Sequence, residues 1–330
     1  MRIAIAGLGS ACMRAHLPAI TQLEAAGRAT LVAAADPDPQ RRAILVEQRP
    51  QVRAFASTEE MLAAGAADVL VVAAAPETHA ELVVRGLARG MHVLCEKPLT
   101  GTRSGHALVE ETCAAWPDLA LVPVHQYRYS PQWATIARWA GWATRLKLPF
   151  SLLAEVQRNR TDPTATSDWR ADIAANGGML ADAGVHFLAL AWTISQQLDV
   201  LEAARHHDHI GQERAAAALR LGPGRLDLRV WRGAPQRRTR IELRQCGARV
   251  AWADHEALTR LGGLSLTSRQ VSALSDRRHV DALCQPLYWE LAFGLADPRW
   301  RRRRTAEALA VDAALVSLLE RTPVLVETGG

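Results

Sequence analysis

Residues 2–12 read RIAIAGLGSAC, a short apolar run that ends in a glycine-rich turn. Apolar residues over 14–26 then recur with the spacing of a helix. A buried strand that turns through glycines into a helix is typical of a βαβ unit, and this stretch decides the fold of the N-terminal half. Gly7 permits the tight turn, Gly9 lets a phosphate group approach the backbone, and Cys12 stands where a third small residue is needed.

Strands and helices keep alternating as far as about residue 124. Unbroken apolar runs such as 68–74 are typical of strands buried on both faces of a parallel sheet. We predict strands over 29–35, 68–74, 92–95 and 119–124, with helices from residue 40 and over 58–64, 78–89 and 105–115. The alternation predicts a parallel sheet with right-handed crossovers, and therefore an α/β Rossmann domain over residues 1–123.

The pattern changes after residue 124, where longer β-like stretches appear. We predict strands over 150–158, 215–221, 225–231, 240–243 and 249–253, a helix over about 178–196, and a closing amphipathic helix over about 305–320. These elements predict an α+β domain over residues 124–330, built on a largely antiparallel open sheet. The fold class is therefore a Rossmann domain followed by this second domain.

The composition limits the classes of protein that the chain can represent. Its 330 residues are 49% hydrophobic and 22% charged, which is typical of a globular protein. No apolar stretch reaches the ~20 residues that a membrane helix needs, and residues 1–10 lack the features of a signal peptide. The five cysteines are scattered and odd in number, which favours free thiols over disulfides or a metal site. We expect a cytoplasmic protein with no metal and no membrane partner.

The basic residues carry one unusual signal. The net charge of +5 is small and spread along the chain, so we expect no nucleic-acid partner. Only Lys97 and Lys147 are lysines; every other basic side chain among the 39 is arginine. Because arginine does not readily release a proton, a lysine retained in such a chain marks a place where a titratable amine is useful.

Asp36 closes the predicted second strand, at the edge where a dinucleotide would lie. An acid here would accept hydrogen bonds from the ribose hydroxyls and repel a 2′-phosphate, which favours NAD over NADP. Arg41 and Arg42 lie close by in the sequence and could weaken that preference, so NADP stays possible. The expected phosphate contacts come from the helix N-terminus and the turn before it, at Gly7, Gly9, Ser10, Ala11 and Cys12.

Two further stretches of sequence are more specific indicators of a protein family than the glycine turn is. The first runs Ala-Ala-Ala-Pro-Glu-Thr-His over residues 73–79 and continues to Cys-Glu-Lys-Pro-Leu over 95–99. The second is Gly-Gly-Met-Leu-Ala-Asp-Ala-Gly-Val-His over 177–186. Together with residues 127–131, 168–170 and 240–243, they make the chain resemble the Gfo/Idh/MocA family of oxidoreductases, from residue 1 to about 320.

Some of the site chemistry follows from the residues themselves. Lys97 comes just after a parallel strand, at the edge where open α/β sheets bind ligands, so its amine could exchange a proton with a substrate oxygen. Asp182 and His186 are four residues apart, so on a helix they share one face, where the carboxylate can orient the imidazole.

The resemblance assigns roles to these and to further residues. It implies that Lys97 and His186 are acid–base candidates and that Asp182 is a catalytic and substrate-binding residue. It also implies cofactor contacts from Ala74, Pro76, His79, Glu96, Lys97, Trp169 and Arg170, and substrate contacts from Tyr127 and Arg128 in addition to Lys97, Asp182 and His186.

The resemblance implies an NAD(P)-dependent dehydrogenase or reductase acting on a small molecule. The leading substrate is a sugar, a cyclitol or a related polyol, oxidised or reduced at a secondary alcohol. Ala189 stands where the family often has an acid, which puts a sugar-type hydroxyl contact in doubt. The alternatives are a reductase of a C=N or conjugated bond, of imine or tetrapyrrole type, and a catalytically silent dinucleotide-sensing regulator. Related proteins pair through the open sheet, so a homodimer or homotetramer is expected.

Overall fold

The computed structural model describes residues 1–65, 67–159, 177–207, 213–254, 259–261, 264–266 and 282–322. The chain divides into two compact units. The first comprises residues 1–126 and 280–309, and the second comprises residues 127–279 and 310–330.

The first unit is built on a six-stranded sheet. Its order is β3-β2-β1-β4-β5-β6, and every adjacent pair is parallel. This is the doubly wound order in which ligands bind where the strand sequence reverses, between β1 and β4. The strands are β1 (Arg2–Ala6), β2 (Thr30–Ala35), β3 (Arg53–Phe55), β4 (Val69–Val72), β5 (His92–Cys95) and β6 (Leu121–Pro123).

Helices cover this sheet because its strands are apolar on both faces. All four residues of β4 are buried, as the unbroken apolar run predicts. The helices are α1 (Leu17–Ala25), α2 (Pro39–Gln48), α3 (Thr58–Ala63), α4 (His79–Ala88) and α5 (Arg103–Ala115). Asp38 and Ser57 accept hydrogen bonds from the first turns of α2 and α3, which fixes where those helices begin.

The chain returns to the first unit near its C-terminal end. Helix α8 (Cys284–Gly294) packs against α1, and Thr305 on α9 (Pro298–Arg321) accepts a hydrogen bond from the backbone N–H of Leu121 at 3.0 Å. The sequence boundary, which assigned everything after residue 123 to the second domain, therefore misses this segment. No strand–helix alternation marks the return, because the segment is helical and adds no strand to the sheet.

The closing helix also begins earlier than predicted. It starts at Pro298 rather than near residue 305, and therefore contains the four consecutive arginines of residues 301–304. Arg304 in that run is fully buried and pairs with Glu307 at 2.7 Å, whereas Arg302 and Arg303 are exposed. Because residues 301–304 are all arginine, the sequence shows no alternation of polar and apolar positions there. The buried position of Arg304 therefore could not be predicted.

The second unit contains an eight-stranded sheet, in the order β14-β13-β12-β11-β7-β10-β9-β8. Its pairs are antiparallel except β7 with β10. Inward residues alternate with outward ones along β7, so one face is buried. The strands are β7 (Phe150–Arg158), β8 (Asp199–His207), β9 (Glu213–Leu221), β10 (Gly224–Arg232), β11 (Arg238–Gln245), β12 (Ala248–Asp254), β13 (Thr259–Leu261) and β14 (Leu264–Leu266).

Helices α6 (Pro131–Arg145) and α7 (Val185–Ser195) pack on each other and on the inward face of this sheet. A π-helical turn, Leu180–Gly184, leads into α7. Helix α6 was not predicted from the sequence. Among the described residues, no helix has both the length and the apolarity that crossing a bilayer requires.

Candidate functional site

The glycine turn of the first unit is shaped by a close approach of two strand ends. Gly7 has φ +97°, and a Cβ atom there would lie 2.5 Å from the carbonyl oxygen of Ala73, just after β4. No side chain fits this space, so β1 and β4 can converge only at a glycine. The turn therefore forms at the point where the strand order reverses.

Gly9 has the opposite surroundings. A Cβ atom at this position would find only Nη1 of Arg41 within 4 Å, at 3.9 Å. The backbone of Gly9 thus faces open space rather than protein. That space beside an exposed arginine leaves room for the phosphate contact predicted for this glycine, which stays a prediction.

Asp36 is held in place by the glycine turn itself. Its side chain is 3% exposed and accepts hydrogen bonds from the backbone N–H groups of Leu8 at 2.7 Å and of Asp38 at 2.9 Å. Nη1 of Arg41 lies 3.5 Å from the same carboxylate. Asp36 therefore fixes the turn, a function that the sequence did not reveal; its contact with ribose hydroxyls stays a prediction.

The helix start after the turn combines exposed and buried residues. Ser10 is exposed and accepts a hydrogen bond from Arg14, and Ala11 is half-buried. Cys12 is fully buried and begins a π-helical turn, Cys12–His16. Burial, reinforced by the nearby Asp36 carboxylate, raises the pKa of the Cys12 thiol to about 12. Cys12 is consequently a packing residue with an unreactive thiol, as expected at the third position of the turn.

His79 joins the two loops that follow β4 and β5. It is 1% exposed, and its ring nitrogens lie 2.7 Å from the carbonyl oxygen of Pro98 and 3.2 Å from that of Ala74. Burial lowers the pKa of this imidazole below its ordinary value. Pro76 is also buried, at the short helical turn between these loops. His79 acts on the loop backbone, and its predicted cofactor contact stays untested.

Glu96 and Lys97 follow β5 at the same edge of the sheet. Lys97 is half-buried. Glu96 is 13% exposed, and its Oε2 accepts a hydrogen bond from the backbone N–H of Lys97 at 3.1 Å. Its Oε1 lies 3.0 Å from Nε2 of His16, whose Nδ1 lies 2.8 Å from the hydroxyl of Tyr288. Sequence reasoning missed His16 and Tyr288.

The second unit brings together two of the predicted substrate residues. The rings of Tyr127 and His186 are stacked, with centroids 4.0 Å apart and an angle of 23° between their planes. Trp133 packs edge-on against Tyr127, with 4.7 Å between the ring centroids. Nη2 of Arg158 lies 3.4 Å from the Tyr127 hydroxyl. These ring contacts fix the plane of the His186 imidazole. Arg128, the other predicted substrate residue of this segment, lies over the ring of Tyr129.

The start of the segment that carries Asp182 and His186 is held by a buried acid. Glu213, which is fully buried, accepts hydrogen bonds from the backbone N–H of Met179, at 2.9 Å to either oxygen, and from Nε of Arg205 at 3.1 Å. A Cβ atom on Gly178 would lie 2.3 Å from this carboxylate and from Arg205, which explains the Gly-Gly pair. The sequence held a signal for Glu213, because the other inward positions of β9 are all Ala or Leu.

The predicted site residues are thus divided between the units. Gly7, Gly9, Asp36, Ala74, His79, Glu96 and Lys97 lie at the carboxyl edge of the first sheet, and Tyr127, Asp182 and His186 lie in the second unit. Asp182 is in the π-helical turn rather than in a regular α-helix. Trp169 and Arg170 lie outside the described residues. No group of three or more His, Cys, Asp or Glu side chains within the described ranges could hold a metal ion.

Comparison with protein families finds a match for the N-terminal third of the chain. A family model described as "Oxidoreductase family, NAD-binding Rossmann fold" matches residues 1–114. An inositol 2-dehydrogenase of Leifsonia xyli subsp. xyli is 39% identical over 101 residues, which are 30% of this chain and 28% of that protein. A D-xylose 1-dehydrogenase (NADP(+)) of Haloferax volcanii is 26% identical over 191 residues, 58% of this chain and 56% of that protein. The chain covers less than two thirds of the length of either relative.

Solved structures align with almost the whole chain at low identity. A 3-ketoreductase from Actinomadura kijaniata, solved with NADP and TDP-benzene, has a TM-score of 0.77 at 18% identity and covers 99% of both chains. A dehydrogenase from Thermus thermophilus, solved with NAD and UDP-GlcNAcA, has a TM-score of 0.68 at 22% identity and covers 99% of this chain and 97% of that one. These likenesses confirm the predicted fold class.

The two glycines of the turn should respond differently to the same substitution. Gly7→Ala places a methyl group against Ala73 and strains the backbone by about 1–3 kcal/mol in addition to the collision, so we expect a clear loss of thermal stability. Gly9→Ala meets no protein atom closer than 3.9 Å, so stability should be retained while NADH binding weakens by about tenfold or more. Thermal unfolding and NADH fluorescence titration measure the two effects; equal destabilisation by both variants would contradict this assignment.

Proposed function

We propose that this chain moves a hydride between a nicotinamide dinucleotide and a secondary alcohol or carbonyl of a sugar, a cyclitol or a related polyol. The match of residues 1–114 to the model of the Gfo/Idh/MocA oxidoreductases, with their NAD-binding Rossmann fold, supports the proposal. The observation that carries the proposal is the placement of Lys97. It is one of two lysines in the chain, and it follows β5 directly, at the sheet edge where the glycine turn opens.

Lys97 is the group that handles the proton in this proposal. When bound, the nicotinamide supplies the hydride acceptor or donor. As an alcohol is oxidised, the Lys97 amine takes the hydroxyl proton, and in the reverse direction it returns that proton to the carbonyl oxygen. His186, with its plane fixed by Tyr127, and Asp182 offer polar groups for the substrate hydroxyls.

The names of the relatives support a polyol substrate. Two of them are named an inositol 2-dehydrogenase and a D-xylose 1-dehydrogenase, and inositol and xylose are both polyhydroxylated compounds. Ala189 offers no hydroxyl contact where the family often has an acid, so we propose a substrate with fewer polar groups on one side.

The proton role of Lys97 can be tested with a matched control. Lys97→Arg keeps the charge but removes an amine that titrates, so turnover should fall by roughly 10²–10⁴-fold while NADH binding stays within a few fold. Lys147→Arg, on an exposed loop, should have no effect. The assay follows NADH formation with myo-inositol, D-xylose and related polyols, and NADH consumption with the matching ketones. Turnover of Lys97→Arg at the rate of the unsubstituted chain would assign Lys97 a structural role.

We propose that the cofactor preference is NAD(H). The carboxylate of Asp36 lies beside the turn and would repel a 2′-phosphate, although Arg41 is close to both Asp36 and Asp38. We expect NADH to bind more tightly than NADPH, and Arg41→Ala to weaken NADPH binding more than NADH binding. Fluorescence titration with both cofactors decides this, and tighter binding of NADPH by the unsubstituted chain would overturn the preference.

We also propose that the chain forms a homodimer or a homotetramer through its second sheet. The outward face of β7 and β10 carries Gln157, Arg229 and Trp231 beside a groove of about 590 Å³, while α6 and α7 occupy the inward face. Light scattering should give a multiple of 36.0 kDa, and Trp231→Glu should shift the mass towards the monomer. A monomer at micromolar concentration without any substitution would contradict the proposal.

A further inference from the structure

Three buried polar side chains form a continuous series beneath the Lys97 loop. The hydroxyl of Tyr288 lies 2.8 Å from Nδ1 of His16, and Nε2 of His16 lies 3.0 Å from Oε1 of Glu96. The other oxygen of Glu96 accepts the backbone N–H of Lys97 at 3.1 Å. Tyr288 and His16 are fully buried, so neither can exchange its partner for water without a large cost. We call Tyr288, His16 and Glu96 the buried relay.

The distances allow a hydrogen bond at each step of the buried relay. Nε2–H of His16 donates to the Glu96 carboxylate, and Nδ1 accepts the Tyr288 hydroxyl. Burial raises the pKa of Tyr288 well above its ordinary value, so the phenol keeps the proton that it donates. Burial disfavours charge on Glu96 as well, but the hydrogen bond from His16 and the nearby Lys97 hold the pKa of this carboxyl below its usual range.

The electrostatic surroundings reinforce that arrangement. Cys284 and Cys12 are the other titratable groups that act on the Tyr288 hydroxyl, and both thiols are buried. The pKa of Cys12 is raised to about 12, so at neutral pH it adds no charge. On the side of Glu96, the remaining titratable neighbour is Lys97. The carboxylate of Glu96 therefore carries the negative charge of the series, directly beside Lys97.

The members of the buried relay come from three distant segments. His16 ends the π-helical turn that follows the glycine turn, Glu96 ends β5, and Tyr288 lies on α8. The relay thus connects the predicted dinucleotide turn with the loop of Lys97 by hydrogen bonds. Hydrogen bonds that are buried and fully satisfied restrict the rotamers of the groups that make them.

We propose that Tyr288, His16 and Glu96 are positioning residues for Lys97: His16 holds the Glu96 carboxylate in one orientation, and that carboxylate fixes the Lys97 backbone. The catalytic meaning of this inference rests on the proposed function, because Lys97 is there the proton-exchanging group. The positioning itself does not require turnover. It can therefore be tested on the full chain without substrate or dinucleotide.

Competitive amine labelling measures the effect directly, because the chain has only two lysines. Trace labelling with isotope-coded acetic anhydride at pH 8, followed by peptide mass spectrometry, gives the reactivity of Lys97 relative to Lys147, which is exposed and serves as the internal reference. In Glu96→Gln the ratio should rise by about three- to tenfold, because the Lys97 backbone loses the charged acceptor that holds it and the amine becomes easier for the reagent to reach.

Substitutions of His16 separate positioning from general stability. In His16→Ala the Glu96 carboxylate loses its donor, so the ratio should rise as it does in Glu96→Gln. His16→Gln offers a side-chain N–H at a similar reach and should return the ratio to within about twofold of the unsubstituted chain. Tyr288→Phe keeps the bond between His16 and Glu96, so its effect should be smaller than that of His16→Ala. The matched control is His92→Gln at the opposite end of β5, where the imidazole accepts the backbone N–H of Ala120.

The measurements separate a positioning role of the buried relay from a purely structural one. Thermal unfolding is recorded for each variant, because a purely structural role would lower the melting temperature while leaving the labelling ratio unchanged. An unchanged ratio in Glu96→Gln, or equal ratios in His16→Ala and His16→Gln, would overturn the inference. If His16→Ala does not fold, the ratios of Glu96→Gln and Tyr288→Phe still decide it. A chain that lacks turnover but shows the expected ratios refutes the proposed function and leaves the buried relay standing.

Discussion

The first unit depends on the space that Gly7 leaves empty. The ends of β1 and β4 approach so closely that a methyl group would overlap the Ala73 carbonyl, and the strand order reverses at that point. The arrangement of the first unit's predicted site residues depends on this convergence. The carboxylate of Asp36 can reach the backbone of Leu8, the loop after β4 lies against the turn, and β5 ends nearby with Lys97. The absence of a side chain at Gly7 therefore allows Asp36, the loop after β4 and the residues after β5 to lie close to the glycine turn.

Both units hold their candidate site with a buried acid whose charge is compensated. In the first, His16 and the Lys97 backbone engage the two oxygens of Glu96; in the second, Arg205 and the Met179 backbone engage Glu213. A buried carboxylate without partners would cost several kcal/mol, so each acid keeps its neighbours in a narrow range of positions. The π-helical turns at Cys12–His16 and Leu180–Gly184 lie directly beside these two acids.

The sequence was sufficient where the signal is local. Apolar segments predicted five of the six strands of the first sheet and five of the eight strands of the second, and missed β3, β8, β13 and β14. The rarity of lysine drew attention to Lys97. It was insufficient where a residue acts through a partner far along the chain. His16 looks like an ordinary helix residue until Tyr288 is placed beside it, and 272 positions separate them. The domain boundary after residue 123 misses residues 280–309 for the same reason. The sequences of α8 and of the first part of α9 show that these segments are helical, but not which unit they pack against.

The return of α8 to the first unit has a consequence during protein synthesis. At about 5–20 residues per second, the 272 positions between His16 and Tyr288 correspond to roughly 14–54 s on the ribosome. Throughout that interval the nascent Rossmann strands exist without the helix that packs against α1, and His16 has no phenol beside it. The N-terminal unit therefore cannot reach its final packing as it emerges. It is completed only after the whole second sheet has been translated, and the second unit in turn waits for residues 310–330, which leave the ribosome after α8.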